Sequence, residues 1–386
     1  MKTSIQQLLY ICLKTTTTAF IALSLTASPV HAQAAAEDEI LFGKTSSLSG
    51  PLAEIGVDAT TATNAYFEYI NQQGGIHGKK LRLLTLDDSY STEKGVANAR
   101  QLIEKEKAFA LLNMAGTPTN KALLPIIAEH NIPSIGPYTG SDIVRTPHNR
   151  LIFNIRAGYS DEADTIVRHL EIRGIKKIAV VYQNNAFGKE GLGFVEKATE
   201  SQKMKVHASA PMEASGADAE KAATILAEAK PQAVIMITTG KSSVEFIKAF
   251  NQISPGMQFF ALSVMGTQAG VNALGKDGIG VVVSQVAPFP FSATSGIVRE
   301  YQKVMKQMGV KNWSFASMEG FITAKVVVEG LRRAGKNPTR ERFIAGLESI
   351  GRWDMDGYLI NFSKDNHNGS KYVELTAISR EGRFLR

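Results

Sequence analysis

Two short loops carry the residue types that hold a small anion. Ala115-Gly116-Thr117-Pro118-Thr119-Asn120 follows the apolar run 109–114 and opens a helical pattern. Thr117 suits the N-cap of that helix, and Pro118 suits its first turn, where a missing N–H costs nothing. Gly116 lets a ligand approach the backbone. Free amides, a hydroxyl and the positive helix end together make a carboxylate site. The same residues would equally serve as a plain helix cap, and the sequence leaves both readings open. The second loop, Pro137-Tyr138-Thr139-Gly140-Ser141-Asp142, follows a strand-like run ending at Ile135. In open α/β sheets ligands sit beyond the carboxyl ends of the strands, which is where both loops fall.

Other chemistries find no purchase. Gly43-Lys44-Thr45 imitates the end of a phosphate-binding loop, but Asp38 stands where that motif requires glycine. Gly188, Gly191 and Gly193 do not make a dinucleotide fingerprint, and there is no Gly-x-Ser-x-Gly elbow. The six histidines beyond residue 32 are isolated from one another, which disfavours zinc. Asp87-Asp88 stands at a strand end, where carboxylates usually cap turns. No catalytic residue, metal or cofactor is expected, so the chain does not read as an enzyme.

Residues 1–32 have the form of a secretory signal. Lys2 and Lys14 precede a short apolar stretch over 19–27, and Val30-His31-Ala32 marks a cut after Ala32. The only cysteine, Cys12, lies ahead of the apolar stretch, so no lipid anchor and no disulfide are expected. Removing 32 of 386 residues leaves 354, enough for two cores. The net charge of +7 falls to +5 without the two signal lysines, and the basic residues are dispersed. Dispersed charge is a solubility feature and argues against a nucleic-acid partner.

The elements that must position the loops alternate strand and helix. Strands are expected near 40–43, 81–86, 109–114 and 132–135, with helices over 51–73, 92–106 and 118–130 between them. The pattern restarts with a helix over 161–172 and a strand over 177–182, then continues through strands near 206, 233–237, 258–262 and 280–284. Three helices over 295–308, 316–333 and 340–349 follow, and the chain ends in strand-like 358–362 and 371–378. This order predicts parallel sheets covered on both faces.

The run Ile70-Asn71-Gln72-Gln73-Gly74-Gly75-Ile76-His77-Gly78-Lys79-Lys80-Leu81, running on to Asp87-Asp88, together with Ser47-Leu48-Ser49-Gly50-Pro51 and the later Asn185-Ala186-Phe187-Gly188, resembles the Leu/Ile/Val-binding family of bacterial periplasmic solute-binding proteins. The likeness runs from about residue 40 to the C-terminus. It implies an α/β fold of two doubly wound Rossmann-like lobes joined by a hinge with three crossings, near 156–157, 285–288 and 357–362. The first lobe would hold 38–156 and 287–357, and the second 157–286 and 358–386. The resemblance implies a periplasmic receptor of an ABC importer, with a small-molecule ligand and a membrane permease as partners; a monomer suits that role.

By the same resemblance, Ala115, Gly116 and Thr117 would hold the ligand carboxylate, and Tyr138, Thr139 and Gly140 its adjacent polar group. Ile55 would wall the pocket, and Phe187, Gly240 and Ser263 would close over it from the second lobe. The family's amino-acid receptors commonly place an acid in the second lobe against the ligand ammonium. Here residues 255–276 contain no Asp or Glu, and a buried ammonium without a counter-charge is costly. Either Asp161 substitutes, or the ligand is an aromatic or aliphatic carboxylate or an amide. A sensor without a permease is a further alternative.

Overall fold

The computed structural model describes residues 38–386; the expected signal and its cut lie outside them. Ten of the strands build two sheets of the same winding. β1 (Glu39–Ser46), β2 (Lys80–Asp87), β3 (Ala110–Leu112), β4 (Ser134–Ile135) and β5 (Ile152–Phe153) form one, in the order β2-β1-β3-β4-β5. β6 (Ile178–Gln183), β7 (Val206–Met212), β8 (Ala233–Ile237), β9 (Gln258–Ala261) and β10 (Val282–Gln285) repeat that order as β7-β6-β8-β9-β10. β13 (Glu374–Ile378) and β14 (Phe384–Leu385) extend the second sheet as antiparallel edge strands. β6 and β8 are nearly continuous buried runs, Ile-Ala-Val-Val-Tyr-Gln and Ala-Val-Ile-Met-Ile, as strands covered on both faces must be.

In each sheet the winding direction reverses once, between β1 and β3 and between β6 and β8. A crevice opens beyond the carboxyl ends of the strands at such a switch point. The helices that begin there are α1 (Ala53–Asn71) after β1, α3 (Thr117–Glu129) after β3, α5 (Ala186–Ser201) after β6 and α7 (Gly240–Ile253) after β8. α2 (Thr92–Arg100) follows β2 and ends in a π-turn over Gln101–Lys105, within the single helix expected there.

α1 buries Ile55, Ala59, Ala62, Thr63, Tyr66 and Ile70, three or four apart, as an amphipathic helix requires. It packs on α10 (Phe315–Ala334), and Thr63 Oγ1 lies 3.1 Å from Gly320 O of that helix. Phe42, Tyr66, Phe67, Phe153, Phe321 and Phe343 fill the first core. α4 (Tyr159–Ile172), α5, α6 (Ala219–Glu228) and α7 clad the second sheet, with apolar cores on either side. α9 (Gly296–Gln307) and α11 (Arg340–Glu348) complete the first lobe, and α8 (Gln268–Leu274) belongs to the second.

The chain passes between the sheets at 154–158, at 286–295 and beyond residue 370. Expected in the second lobe, Tyr358, Ile360 and Phe362 belong to the first core instead, because the hairpin of β11 (Arg352–Asp354) and β12 (Leu359–Asn361) folds their side chains onto Phe153 and its neighbours. Asn154 N–H donates to His367 O and Gly369 N–H to Asn154 O, both at 2.8 Å, which lays the segment leading into the third crossing beside the first. The Tyr358 hydroxyl lies 2.9 Å from Ile155 O and 3.2 Å from Val286 O, so one proton is shared between the first two crossings.

Candidate functional site

The loop after β3 is held from beneath. Asn120 Nδ2 donates to Met114 O (2.7 Å) and to Gly116 O (2.8 Å). Gly116, not Thr117, is the N-cap of α3, with φ 87° and ψ 140°. Only glycine adopts that backbone without strain, so the helix starts one residue earlier than the Thr-Pro signature indicates. A Cβ on Gly116 would also stand 2.9 Å from the Tyr90 ring. The Thr117 hydroxyl, relieved of capping, lies 2.7 Å from the Thr139 hydroxyl. The first helical bond runs from Asn120 N–H to Gly116 O; the amides of Thr117 and Thr119 precede it, and helix geometry offers them no carbonyl.

The loop after β4 lies alongside. Gly116 N–H donates to Tyr138 O at 3.2 Å, and Tyr138 N–H to Met114 O at 2.9 Å. Gly140 O accepts from Tyr159 N–H at 2.7 Å, and a Cβ on Gly140 would lie 2.6 Å from that nitrogen. Arg145 fixes the far side by donating to the carbonyls of Thr139 and Ser141 and to those of Arg156 and Ala157 at the first crossing. Ile55, Ala115 and Tyr138 form one small apolar cluster with Leu52 and Ala316, against which Tyr90 packs. Six expected first-lobe residues, Ala115, Gly116, Thr117, Tyr138, Thr139 and Gly140, therefore meet at one place, with Ile55 as their wall.

The second-lobe residues have different neighbours. Phe187 is buried in the core, its ring edge-on to Tyr159 at 5.2 Å; Tyr159 is the ring beside Gly140. Gly240 sits against the first lobe, where an added Cβ would lie 2.5 Å from Pro51 O. Gln183 Nε2 bonds Thr239 Oγ1 (3.0 Å) and shapes that approach. Ser263 is engaged: its N–H and Oγ donate to Glu162 at 2.8 and 3.0 Å, and its Oγ accepts from Arg156.

Sequence reasoning missed the charged floor that ties these parts together. Arg156, in the first crossing, is 3% exposed and lies between Glu162 of α4 (3.4 Å) and Glu319 of α10 (3.5 Å). Its guanidinium stands over the Tyr138 ring, 4.9 Å from the centroid, and the Tyr138 hydroxyl donates to Glu319 Oε1 at 2.7 Å. Burial works against the Arg156 charge, but Glu319 and Glu162 more than offset it and keep the group firmly protonated. Burial pushes the Glu319 carboxyl up, opposed by Arg156 and by the Tyr138 hydrogen bond. The available signal was an acid inside the apolar stretch Phe315-Ala316-Ser317-Met318-Glu319-Gly320-Phe321; such an acid needs a buried partner.

The two other motifs weighed in the sequence are structural. Asp88 accepts from Thr45 Oγ1, Ser47 Oγ and Tyr90 N–H, and Asp87 from Leu48, Ser49 and Ser89. The Ser49 hydroxyl, followed by backbone N–H groups, holds the Asp87 carboxyl far below the usual range. Lys44 donates to Thr60 Oγ1 at 2.8 Å, and burial brings its amine down to about 7 in spite of Asp88.

The lobes touch across the crevice. Glu54 of α1 accepts from Gln268 N–H and Ala269 N–H, each at 2.9 Å. Asp142 N–H donates to Glu190 Oε1 of α5 at 2.9 Å. Beside the Glu54 bridge a groove of about 450 Å³ runs between the lobes, lined by Leu52, Glu54, Gly240, Val244 and Thr267 among others. This groove takes its lining from both lobes. No group of His, Cys, Asp and Glu among the described residues has the makings of a metal site.

Known proteins share this build. The chain is similar to Leu/Ile/Val-binding protein homolog 7 of Brucella abortus, with 23% identity over 366 residues, 90% of this chain and 91% of that one. It superposes on a substrate-binding periplasmic protein from Ralstonia solanacearum with a TM-score of 0.83 and 29% identity, over 90% of this chain and 99% of that one. A fatty acid ABC transporter substrate-binding protein from Thermomonospora curvata has the same fold, with a TM-score of 0.80 and 19% identity over 90% of this chain and 91% of that one. The family model described as "Periplasmic binding protein" matches residues 39–383, so the chain belongs to that family of non-catalytic solute-binding proteins.

Proposed function

We propose that the protein is the periplasmic receptor of an ABC importer and closes its two lobes around one small carboxylate-bearing ligand, a hydrophobic amino acid such as leucine, isoleucine or valine being the first choice. The observation that carries this reading is the meeting of two strand-end loops, after β3 and β4, beside one switch point. The amides of Thr117 and Thr119, the Thr117–Thr139 hydroxyl pair and the apolar patch of Leu52, Ile55 and Tyr138 converge there. The loops would hold the carboxylate, and the patch its apolar body. Tyr159, Gly240 and the Ser263 loop would approach from the second lobe. Hinge closure then follows from contacts made only when the lobes meet, and the closed face would be what a permease recognises.

The lack of an acid over 255–276 keeps a second reading open: an aromatic or aliphatic carboxylate, or an amide, without an ammonium. Importer receptor and permease-free sensor would bind alike, and only the first would stimulate transport by a reconstituted permease. Ligand class is tested by a thermal-shift screen on protein unfolded and refolded to strip carried-over ligand. The panel holds leucine, isoleucine, valine, phenylalanine and the deaminated acid of each. A ligand at 100 times its Kd adds about 2.7 kcal/mol to stability and raises Tm visibly. A shift with members of this panel is expected; silence across it would reject the carboxylate reading.

A further inference from the structure

The first residue of α10 leaves its own lobe. Met318, Phe321 and Ile322 of that helix pack in the first core. Phe315, 4% exposed, packs instead in the second-lobe core that holds Val271 and Leu274 of α8 and Phe384 of β14. Its ring meets Phe384 edge-on with centroids 5.6 Å apart, and meets Phe289 and Phe291 of the second crossing at 5.9 and 6.1 Å. Such edge-to-face pairs attract beyond the area they bury.

Both sides of this contact are held rigidly. Ser314, the N-cap of α10, donates its hydroxyl to Asp58 Oδ2 of α1 at 2.6 Å and accepts from Ser317 N–H at 3.1 Å. The Tyr301 hydroxyl of α9 bonds the Ser317 hydroxyl. These bonds fix Phe315 to the first lobe. Phe384 lies on β14, which pairs with β13 through Ile378. At the turn between those strands Gly382 O accepts from Gln268 Nε2 at 2.9 Å, and Gln268 N–H is one of the two donors to Glu54. Phe315 and Glu54 thus land on the same part of the second lobe, so a rigid-body opening breaks both contacts together. Neither residue belongs to the loops at 115–117 and 138–140.

We infer that Phe315 is an apolar clasp between the lobes, stabilising the closed arrangement whatever the ligand and sustaining a minor closed population before a ligand arrives. This inference rests on the hinge-closure reading above and is independent of the ligand's chemistry. When the lobes part, the ring and its socket meet water, and that exposure opposes opening. Apparent affinity scales with the closed fraction, so Phe315 is a positioning residue that raises affinity for every ligand by one factor.

The test compares the natural chain with Phe315→Ala in the refolded, ligand-free state. Cys12 is the only cysteine and lies in the expected signal, so Val57→Cys gives the processed chain a single thiol for a spin label. Val57 is 43% exposed and stands three residues after Glu54 on α1. Paramagnetic broadening of the α8 amides reads the minor closed population. Phe315→Ala should cut that population about tenfold. Broadening that is absent from the natural chain, or equal in the two, overturns the inference. Calorimetry with leucine, phenylalanine and the deaminated acid of each supplies the second readout. Every member that binds should bind Phe315→Ala about tenfold more weakly, by a common factor. A loss confined to one ligand makes Phe315 a pocket contact and overturns the clasp. A lower melting temperature with broadening and affinities unmoved leaves a purely structural role and overturns it too. Silence across the panel rejects the carboxylate reading, and the broadening then decides the clasp by itself. Should Phe315→Ala fail to fold, Phe315→Leu keeps apolar bulk without the ring edges and should give an intermediate loss; no loss there overturns the inference.

Discussion

Removing the Glu54 carboxylate should weaken ligand binding although Glu54 lies outside the proposed anion site. Its two oxygens each accept one backbone N–H from the opposite lobe at 2.9 Å, from Gln268 and Ala269. Hydrogen bonds to a charged group contribute about 1.5–3 kcal/mol when well shielded. Glu54 is only half-buried, so about 1 kcal/mol each is the better figure, or about 2 kcal/mol for the pair. These contacts exist only between closed lobes, so the loss falls on the closed state and not on either lobe alone. At about 1.4 kcal/mol per tenfold, Glu54→Ala should raise Kd roughly 30-fold. Glu54→Gln keeps one acceptor and should raise it by about a third to a half as much on the logarithmic scale. Calorimetry with a ligand from the panel reads the affinity, and small-angle scattering of the loaded protein reads closure. Denaturation of the ligand-free protein should be unchanged within about 0.5 kcal/mol. An affinity within twofold of the natural chain for Glu54→Ala would refute the latch.

Other perturbations have equally definite outcomes. Gly116→Ala forces a Cβ onto φ 87° and to within 2.9 Å of the Tyr90 ring, so it should cost about 1–3 kcal/mol in denaturant unfolding and weaken binding more than tenfold. Arg156→Met leaves Glu162 and Glu319 buried without their cation and should cost about 3–5 kcal/mol, read by the same assay; a loss below about 1 kcal/mol would contradict the network. Burial, with His148 nearby, brings the His367 imidazole down from its ordinary value to about 4. The unfolded chain therefore binds the extra proton first as pH falls, and stability drops between about pH 6.5 and pH 4. From pH 7 to pH 5 that share is about 2 kcal/mol, and His367→Gln should flatten the unfolding curve by that amount.

The alternation of apolar runs with helical patterns was enough to foresee parallel sheets covered on both faces, because strand burial and helix periodicity are local properties, while the two doubly wound lobes were implied by the family resemblance. The loops at 115–117 and 138–140 were legible for the same reason: glycine, threonine and proline beyond a strand state their turn chemistry within a few residues. The helix start at Gly116 was missed by one position, since the left-handed backbone of Gly116 frees Thr117 to bond Thr139, a partner in another loop. α8 escaped notice because seven residues containing Gly270 carry too little periodicity. The later third crossing depends on the β11–β12 hairpin folding Ile360 and Phe362 into the first core, which no local pattern announces. The Arg156–Glu319 pairing was only half legible: Glu319 inside its apolar stretch called for a buried partner, but only the hinge brings Arg156 to it.

The most direct measurement is a crystal structure of the protein loaded with the tightest-binding member of the panel. A ligand carboxylate within about 3 Å of the amides of Thr117 and Thr119, its apolar body on Leu52, Ile55 and Tyr138, and Glu54 bonded to Gln268 and Ala269 across closed lobes is the expected result. A ligand seated away from the Thr117 helix end, or lobes parted around a bound ligand, would contradict the proposal that this crevice captures a carboxylate and closes upon it.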